Sequence, residues 1–79
     1  MPKLEAAMPA SVAIGQNWSV WYPSRRQWLL ATVTSRSAGN VTLKCDARYG
    51  LVVGDDMITA DDASILGTPN LFRFVAQQA

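Results

Sequence analysis

The sequence has no histidine and a single cysteine, Cys45. Without histidine, the commonest general base and the commonest metal ligand are missing. One cysteine forms no internal disulfide, which predicts a reducing, cytoplasmic compartment, and its alternating place in a predicted strand favours a small buried apolar residue over a reactive thiol. The aspartate pairs at residues 55–56 and 61–62 have no nearby third ligand, so turn and capping roles explain them. We therefore expect no metal, cofactor or disulfide.

Charge is scarce as well. Charged residues make up 16% of the chain, and the formal net charge is +1, whereas soluble domains usually carry about 25% charged residues. So small a net charge provides no bulk field to attract nucleic acid or an anionic membrane. The sequence also lacks an apolar run of about 20 residues, and residues 1–13 lack a signal-peptide core, so we expect no membrane partner.

The length of 79 residues corresponds to one small domain. A chain this short buries only about 60% of its unfolded surface, and its thin core favours a homo-oligomer. We expect a flexible N-terminal tail over residues 1–14, an SH3-like barrel over residues 15–66, and a C-terminal strand and tail over residues 67–79. A late apolar strand aggregates unless it pairs with a sheet, which makes this last segment a candidate subunit interface. Its interface residues would be Leu71, Phe72, Phe74 and Val75.

Short alternating runs separated by turn residues predict an all-β fold with five or six strands and one short helical turn. Such spacing is typical of a small barrel or sandwich. In the turn at residues 36–40, Gly39 and Asn40 are expected to take positive φ. Thr59 or Asp61 is expected to cap the helical turn at residues 62–65. The predicted strands cover residues 17–22, 27–35, 41–46, 51–53, 57–59 and 71–75.

The stretch from residue 18 to residue 33 has the pattern of a β-hairpin around the polar break at residues 23–26. It holds all three tryptophans and one of the two tyrosines of the chain. Aromatic side chains supply the most contact area per residue, so the hairpin is expected to provide both core anchors and a recognition surface. Rings and guanidinium groups at a loop rim stack on bases, aromatic ligands or peptides. The candidate ligand-binding residues are Trp21, Tyr22, Arg25, Arg26, Trp28 and Tyr49.

The order of features from residue 22 to residue 65 resembles that of the Tudor-type SH3-like barrel. The resemblance rests on Tyr22, the polar loop 23–27, Ala31-Thr32-Val33, the alternating strand 41–46, Tyr49-Gly50 and the closing strand with its helical turn at 58–65. It implies an SH3-like barrel and, in members that read methylated ligands, an aromatic cage around an ammonium group.

Transferred residue by residue, the aromatic cage positions of that family fall on Tyr22, Leu29, Asp46 and Tyr49, and the polar cage position falls on Val52. Rings therefore occupy two of the four aromatic positions. The resemblance adds Asp46 to the candidate ligand-binding residues.

Three functions remain open at this point. The first is a noncatalytic binding module whose aromatic and arginine loop rim holds a peptide, a nucleic-acid strand or a small cationic or aromatic ligand. The second is a homo-oligomeric accessory or assembly protein whose aromatic face is the subunit interface. The third is an oligomeric-pore enzyme, because plasmid-type dihydrofolate reductases are similar in length and fold class, although their Val-Gln-Ile-Tyr motif is absent here. Serine and threonine are plentiful, but no histidine activates them, which favours a noncatalytic role.

Overall fold

The computed structural model describes residues 9–77, which form five antiparallel strands in one sheet, a short α-helix and a 3-10 turn. The sheet order is β4-β3-β2-β1-β5, so the chain meanders through four strands before β5 returns to pair with β1. This confirms the predicted mostly-β class with five strands. The two edges, β4 and β5, are not paired with each other within the described residues, so the sheet is not closed into a barrel. The elements are β1 (Gln16–Tyr22), β2 (Gln27–Ser37), β3 (Asn40–Cys45), the 3-10 turn (Ala47–Tyr49), β4 (Met57–Asp61), α1 (Asp62–Gly67) and β5 (Phe72–Gln77).

The hairpin of β1 and β2 pairs Trp21 with Trp28 across the two strands. Pro23 ends β1 because it has no N–H to donate to the ladder. In the loop, the Arg25 amide donates to the Tyr22 carbonyl at 3.1 Å, and the Arg26 backbone takes a φ of 52°. A left-handed residue at the end of a type I turn is a common way to close such a loop.

The core lies on one face of the sheet, where alternate residues of the strands point inward. Trp18 is its largest fully buried side chain, and the Phe74 ring packs against it edge-on, with centroids 5.3 Å apart. Burial of each large apolar side chain contributes roughly 1.5–3 kcal/mol. The buried core consists of Val12, Trp18, Val20, Leu29, Ala31, Val33, Val41, Leu43, Cys45, Ile65 and Phe72.

The carboxamide of Gln16 is buried beside this core, and both its oxygen and its nitrogen are hydrogen-bonded. Its Oε1 accepts hydrogen bonds from the indole Nε1 of Trp18 and the amide of Ala13, both at 3.1 Å. Its Nε2 donates to the carbonyl of Ser11 at 3.1 Å. Gln16 therefore holds the segment before β1 against the core, and Val12 is fully buried there.

Arg36 fixes the same segment from the end of β2. Its Nη1 donates to the Val12 carbonyl, and its Nη2 lies 2.7 Å from Oδ2 of Asp62 at the start of α1. Val12, which the prediction included in a flexible tail over residues 1–14, is therefore held against the core by residues that are distant from it in sequence. Residues 1–8 of that prediction lie outside the described part of the chain.

Residues 51–53 do not form the predicted strand. They follow the 3-10 turn and enter a turn in which the Asp55 amide donates to the Val52 carbonyl at 3.0 Å. Val52 and Val53 are 65% and 94% exposed, so their apolar character did not indicate burial.

The turn between β2 and β3 is also one residue earlier than predicted. Ser37 pairs with Asn40, which leaves Ala38 and Gly39 as a two-residue loop with φ values of 52° and 85°. Two positive φ values are what a type I′ hairpin turn requires. Asn40 therefore begins β3.

The short helix α1 is capped by Asp61, whose Oδ1 accepts from the Ser64 amide at 3.1 Å. Hydrogen bonds from the Ser64 side chain and, second, from its backbone amide lower the pKa of the Asp61 carboxyl. Ile65 is the buried residue of α1 and packs into the core. No helix in the described range of 9–77 is long and apolar enough to cross a membrane.

Strand β5 uses part of the predicted interface within its own chain. Phe72 pairs with Val20 and is buried, and Phe74 contacts Trp18. Leu71 and Val75 remain 40% and 43% exposed.

Replacing Gln16 with leucine should lower the free energy of unfolding by about 2–3 kcal/mol, because the Trp18 N–H, the Ala13 amide and the Ser11 carbonyl would lose their partner in a buried site. Urea denaturation followed by tryptophan fluorescence measures the change. Gln27→Leu is the matched control, at an exposed position directly after the first hairpin loop. It should change stability by less than about 0.5 kcal/mol. Equal midpoints for Q16L and the wild type would contradict a structural role for the carboxamide.

Candidate functional site

The first hairpin loop and the Tyr-Gly corner meet at one end of the sheet. Arg25 bridges them, since its Nη1 donates to the Tyr49 carbonyl at 3.1 Å. The Tyr49 hydroxyl in turn accepts from the Leu30 amide of β2 at 2.9 Å. These long-range bonds fix the geometry of the loop rim, which we define as residues 22–26 and 46–50.

The Asp46 carboxylate caps the 3-10 turn. It accepts from the Arg48 amide at 2.8 Å and pairs with the Arg48 guanidinium at 3.2 Å. The hydrogen bond from the Arg48 backbone, together with its side chain, lowers the pKa of Asp46. The Arg48 guanidinium also lies 5.7 Å from the centre of the Tyr49 ring. The cation beside the Tyr49 ring is therefore the protein's own Arg48.

The positions transferred from the Tudor cage do not converge on one pocket. Leu29 is fully buried in the core, whereas Val52 is mostly exposed. The carboxylate of Asp46 forms an ion pair with Arg48. Tyr22 and Val52 border a second cavity, of about 360 Å³, together with Ser24 and Arg25 of the loop, and Tyr22 also borders a larger one.

The larger cavity is a cleft of about 450 Å³ beside the first hairpin loop. It opens between the two edges of the sheet, at the starts of β4 and β5. Most of its walls are apolar, and the exposed Asp55 is the charged residue that borders it. The walls are formed by residues 20–23, Gly54, Asp55, Met57, Ile58, Leu71 and Phe72.

Tyr22 connects the cleft to the core. Its hydroxyl donates to the Asp55 carbonyl at 2.9 Å and accepts from the Cys45 thiol at 3.2 Å. Burial raises the pKa of the Tyr22 phenol, and the Cys45 hydrogen bond and the nearby carboxylates of Asp55 and Asp56 act in the same direction. Burial likewise raises the pKa of Cys45. Both groups are therefore protonated at neutral pH.

The carboxylates next to the cleft are not neutralised within residues 9–77. The ion pairs formed there are Arg36–Asp62 and Arg48–Asp46. The Asp56 carboxylate accepts a hydrogen bond from the Gly54 amide at 3.1 Å. Asp55 contacts the Tyr22 hydroxyl through its backbone carbonyl and not through its carboxylate. The cleft thus combines an apolar interior with negative charge at its border. In this same range no three carboxylate or thiol side chains lie close enough to hold a metal ion.

Trp21 and Trp28 lie on the opposite, outer face of the sheet from Trp18. Their ring centres are 5.6 Å apart and tilted by 59°. Arg73 of β5 reaches across β1 and places its guanidinium carbon 4.3 Å from the centre of the Trp28 ring. Trp21, at the end of β1, also borders the cleft.

The predicted ligand-binding residues are therefore divided between two surfaces. Tyr22, Arg25, Asp46 and Tyr49 belong to the loop rim, Trp28 to the outer face, and Trp21 to the junction of the two. Arg26 is exposed in the loop.

No family model, curated protein or solved structure matches this chain. Its own geometry is thus the basis for a functional interpretation.

The prediction missed several residues of both surfaces. The sequence pattern gives Asp55 only a turn role, places Met57 and Ile58 in a strand, and assigns Leu71 to a subunit interface. Arg73 alternates with two phenylalanines, which indicates an outward side chain, but only the pairing of β5 with β1 brings it to Trp28.

Replacing Tyr22 with phenylalanine should cost about 1 kcal/mol of stability at neutral pH, because the hydroxyl loses two partners. The ordinary pKa of tyrosine is 10.0, and above this pH the phenol ionises in the unfolded chain but remains protonated in the folded one. The stability advantage of the wild type over Y22F should therefore narrow as the pH rises above 10.

Urea denaturation at pH 7, 9, 10 and 11 measures this difference. The comparison is performed in a Cys45→Ala background. This removes the thiol, whose raised pKa would also lower the stability of the folded protein as the pH rises. An advantage that stays constant from pH 7 to pH 11 would contradict the expected burial of the phenol.

Proposed function

We propose that this chain is a noncatalytic binding module, an SH3-like barrel of Tudor type, whose cleft holds an apolar group that ends in a positive charge. The observation that carries the proposal is the largely apolar cleft of about 450 Å³ bordered by Asp55. Ligand sites are typically concave and apolar, with a few polar groups that fix orientation. The required chemistry, an alkyl chain with a terminal cation, is that of a lysine or arginine side chain in a peptide or of a small amphipathic amine.

The order of elements supports the barrel assignment. The Ala31-Thr32-Val33 run lies in β2, the alternating strand is β3, and the Tyr49-Gly50 corner follows it. The closing strand β4 leads directly into α1, as the resemblance implies. We propose that the open seam between β4 and β5 is the position at which this barrel admits a ligand.

The charges around the loop rim favour the cleft over the Tyr49 ring for a cationic group. Tyr49 has the guanidinium of Arg48 beside its ring and that of Arg25 on its carbonyl. A second cation there would experience repulsion from both. The cleft instead offers Asp55 and Asp56, which attract a cation.

The protonation states support a noncatalytic role. Tyr22 lines the cleft, its hydroxyl contacts the Cys45 thiol behind it, and burial raises the pKa of each group. A general base works best when its pKa lies near the operating pH, and a thiol is nucleophilic only as the thiolate. Neither group fits either role at neutral pH.

Three six-carbon probes with different charges, hexylammonium, hexanol and hexanoate, test the cleft directly. We expect hexylammonium to bind most tightly and hexanoate most weakly, because the chain is common to all three and only the terminal charge differs. Amide chemical shifts in ¹H-¹⁵N NMR spectra should change at Gly54, Asp55, Ile58 and Leu71.

Asp55→Asn should weaken hexylammonium binding about three- to fivefold, the effect of one exposed charge pair, and leave hexanol binding unchanged. Asp46→Asn makes the same charge change at a carboxylate that already pairs with Arg48, and it should have little effect. Equal binding of all three probes, or shift changes outside the cleft, would disprove the proposal. A lysine-containing tetrapeptide that binds more tightly than hexylammonium would identify a peptide as the source of the cation.

A second candidate function is a homo-oligomeric assembly through β5. The observation that favours it is that β5 is a sheet edge with Leu71 and Val75 partly exposed, and unpaired edges tend to associate with other strands. Sedimentation velocity of the wild type and of Val75→Lys separates the two functions. An oligomer that V75K dissociates supports assembly, whereas a wild-type monomer excludes it and leaves the binding module.

A further inference from the structure

The outer face of the sheet carries a contiguous aromatic and cationic surface at strands β5, β1 and β2. Trp21 and Trp28 are direct cross-strand neighbours, and their tilt of 59° prevents them from covering each other's faces. Arg73 lies over the Trp28 ring. The two indoles are half-buried and Arg73 is exposed, so parts of all three side chains face solvent.

Lys44 extends this surface across β3. Thr32 pairs with Asn17 on one side and with Lys44 on the other, so these three residues form a row across the same face. The row runs three strands wide and lies beyond the Ser19–Leu30 pair from the two tryptophans, and neighbouring strands are roughly 4.8 Å apart.

The cations of this face have no carboxylate partner within residues 9–77. Arg73 and Lys44 take part in neither of the ion pairs found there. Arg73 makes one long hydrogen bond, at 3.4 Å, to the Pro69 carbonyl. The acidic residue on the outer side of β4 is Asp61, which pairs with Asn40 at the far end of the sheet and caps α1.

We propose that this outer face binds single-stranded nucleic acid, with bases stacked on Trp21 and Trp28 and phosphates contacted by Arg73 and Lys44. Aromatic side chains next to cations on an open sheet are suited to unstacked bases and a phosphate backbone. A duplex keeps its bases stacked and unavailable to the indoles. The net charge of +1 supplies little general attraction, so stacking provides most of the affinity.

Charge argues against a second copy of this chain on the same face. In a two-fold contact the same patch occurs on both partners. Arg73 and Lys44 would then meet only further cations, at a cost that nucleic acid avoids. An anionic, aromatic ligand complements the surface instead.

Fluorescence anisotropy of a labelled ten-residue oligothymidylate, measured with the full chain at 50–200 mM NaCl, tests the proposal. Two phosphate contacts predict a slope of about −1.4 in log K against log salt for a single strand. Trp18 is fully buried, so quenching of intrinsic fluorescence would report on Trp21 and Trp28. A duplex of the same length should bind at least about tenfold more weakly.

Arg73→Gln should weaken binding about tenfold at 50 mM NaCl and reduce the slope to about −0.7, since one phosphate contact is lost. Arg48→Gln removes the same charge at a guanidinium that already pairs with Asp46, and it should change affinity less than about twofold. Trp28→Leu should reduce quenching to the part contributed by Trp21, and circular dichroism establishes whether that variant is folded. If it is not, the contrast between R73Q and R48Q decides alone.

Three results would overturn the proposal. One is the absence of binding at 50 mM NaCl with protein at 200 µM. Another is an equal loss of affinity in R73Q and R48Q, which would indicate general electrostatics. The third is a dimer that R73Q strengthens and the oligonucleotide does not dissociate, which would assign the face to a second copy.

Discussion

The hydrogen bonds of the buried Gln16 carboxamide are the constraint on which the rest of this fold depends. Trp18 is the largest side chain in the core, and its indole N–H requires an acceptor there, because an unpaired buried donor costs about 1–3 kcal/mol. Gln16 is two residues earlier on the same face of β1 and supplies that acceptor. Its remaining bonds hold the preceding segment, which delivers Val12 to the core. One polar side chain thus completes an apolar core that a chain of 79 residues could barely fill.

This arrangement makes the two ends of the sheet different. At the Gln16 end, Arg36 joins the N-terminal segment, β2 and α1, and Ile65 of α1 is buried in the core. At the other end, the contacts between loops are a few hydrogen bonds from Tyr22 and Arg25. The seam between the sheet edges is open there as the cleft. A well-packed end can hold the strands in register while the other end remains accessible, which is a common division between scaffold and site.

Local pattern was enough to identify the strands, because alternation and turn residues depend on near neighbours. It placed β1, β2 and β3 to within two residues and found the helical turn before β5. It failed where a partner distant in sequence decides the structure, as for Val12, whose carbonyl is bound by Arg36. The same limit applies to the site. Tyr22 and Arg25 stood out as members of an aromatic loop, but Asp55 and Arg73 acquire a role only through contacts that span 33 residues or depend on the β1–β5 pairing.

The alternation of a single strand explains why one hairpin borders two surfaces. Adjacent residues of β1 point to opposite faces, so Tyr22 turns toward the cleft and Trp21 toward the outer face. The charges separate in the same way: the carboxylates of Asp55 and Asp56 lie at the cleft, and the cations of Arg73 and Lys44 lie on the outer face. These four charges cancel, and the formal charge of +1 is the balance of seven basic and six acidic residues over the whole chain. The small net charge therefore hides a strong local separation of charge. The cleft on one face of the sheet is negative, and the outer face is positive.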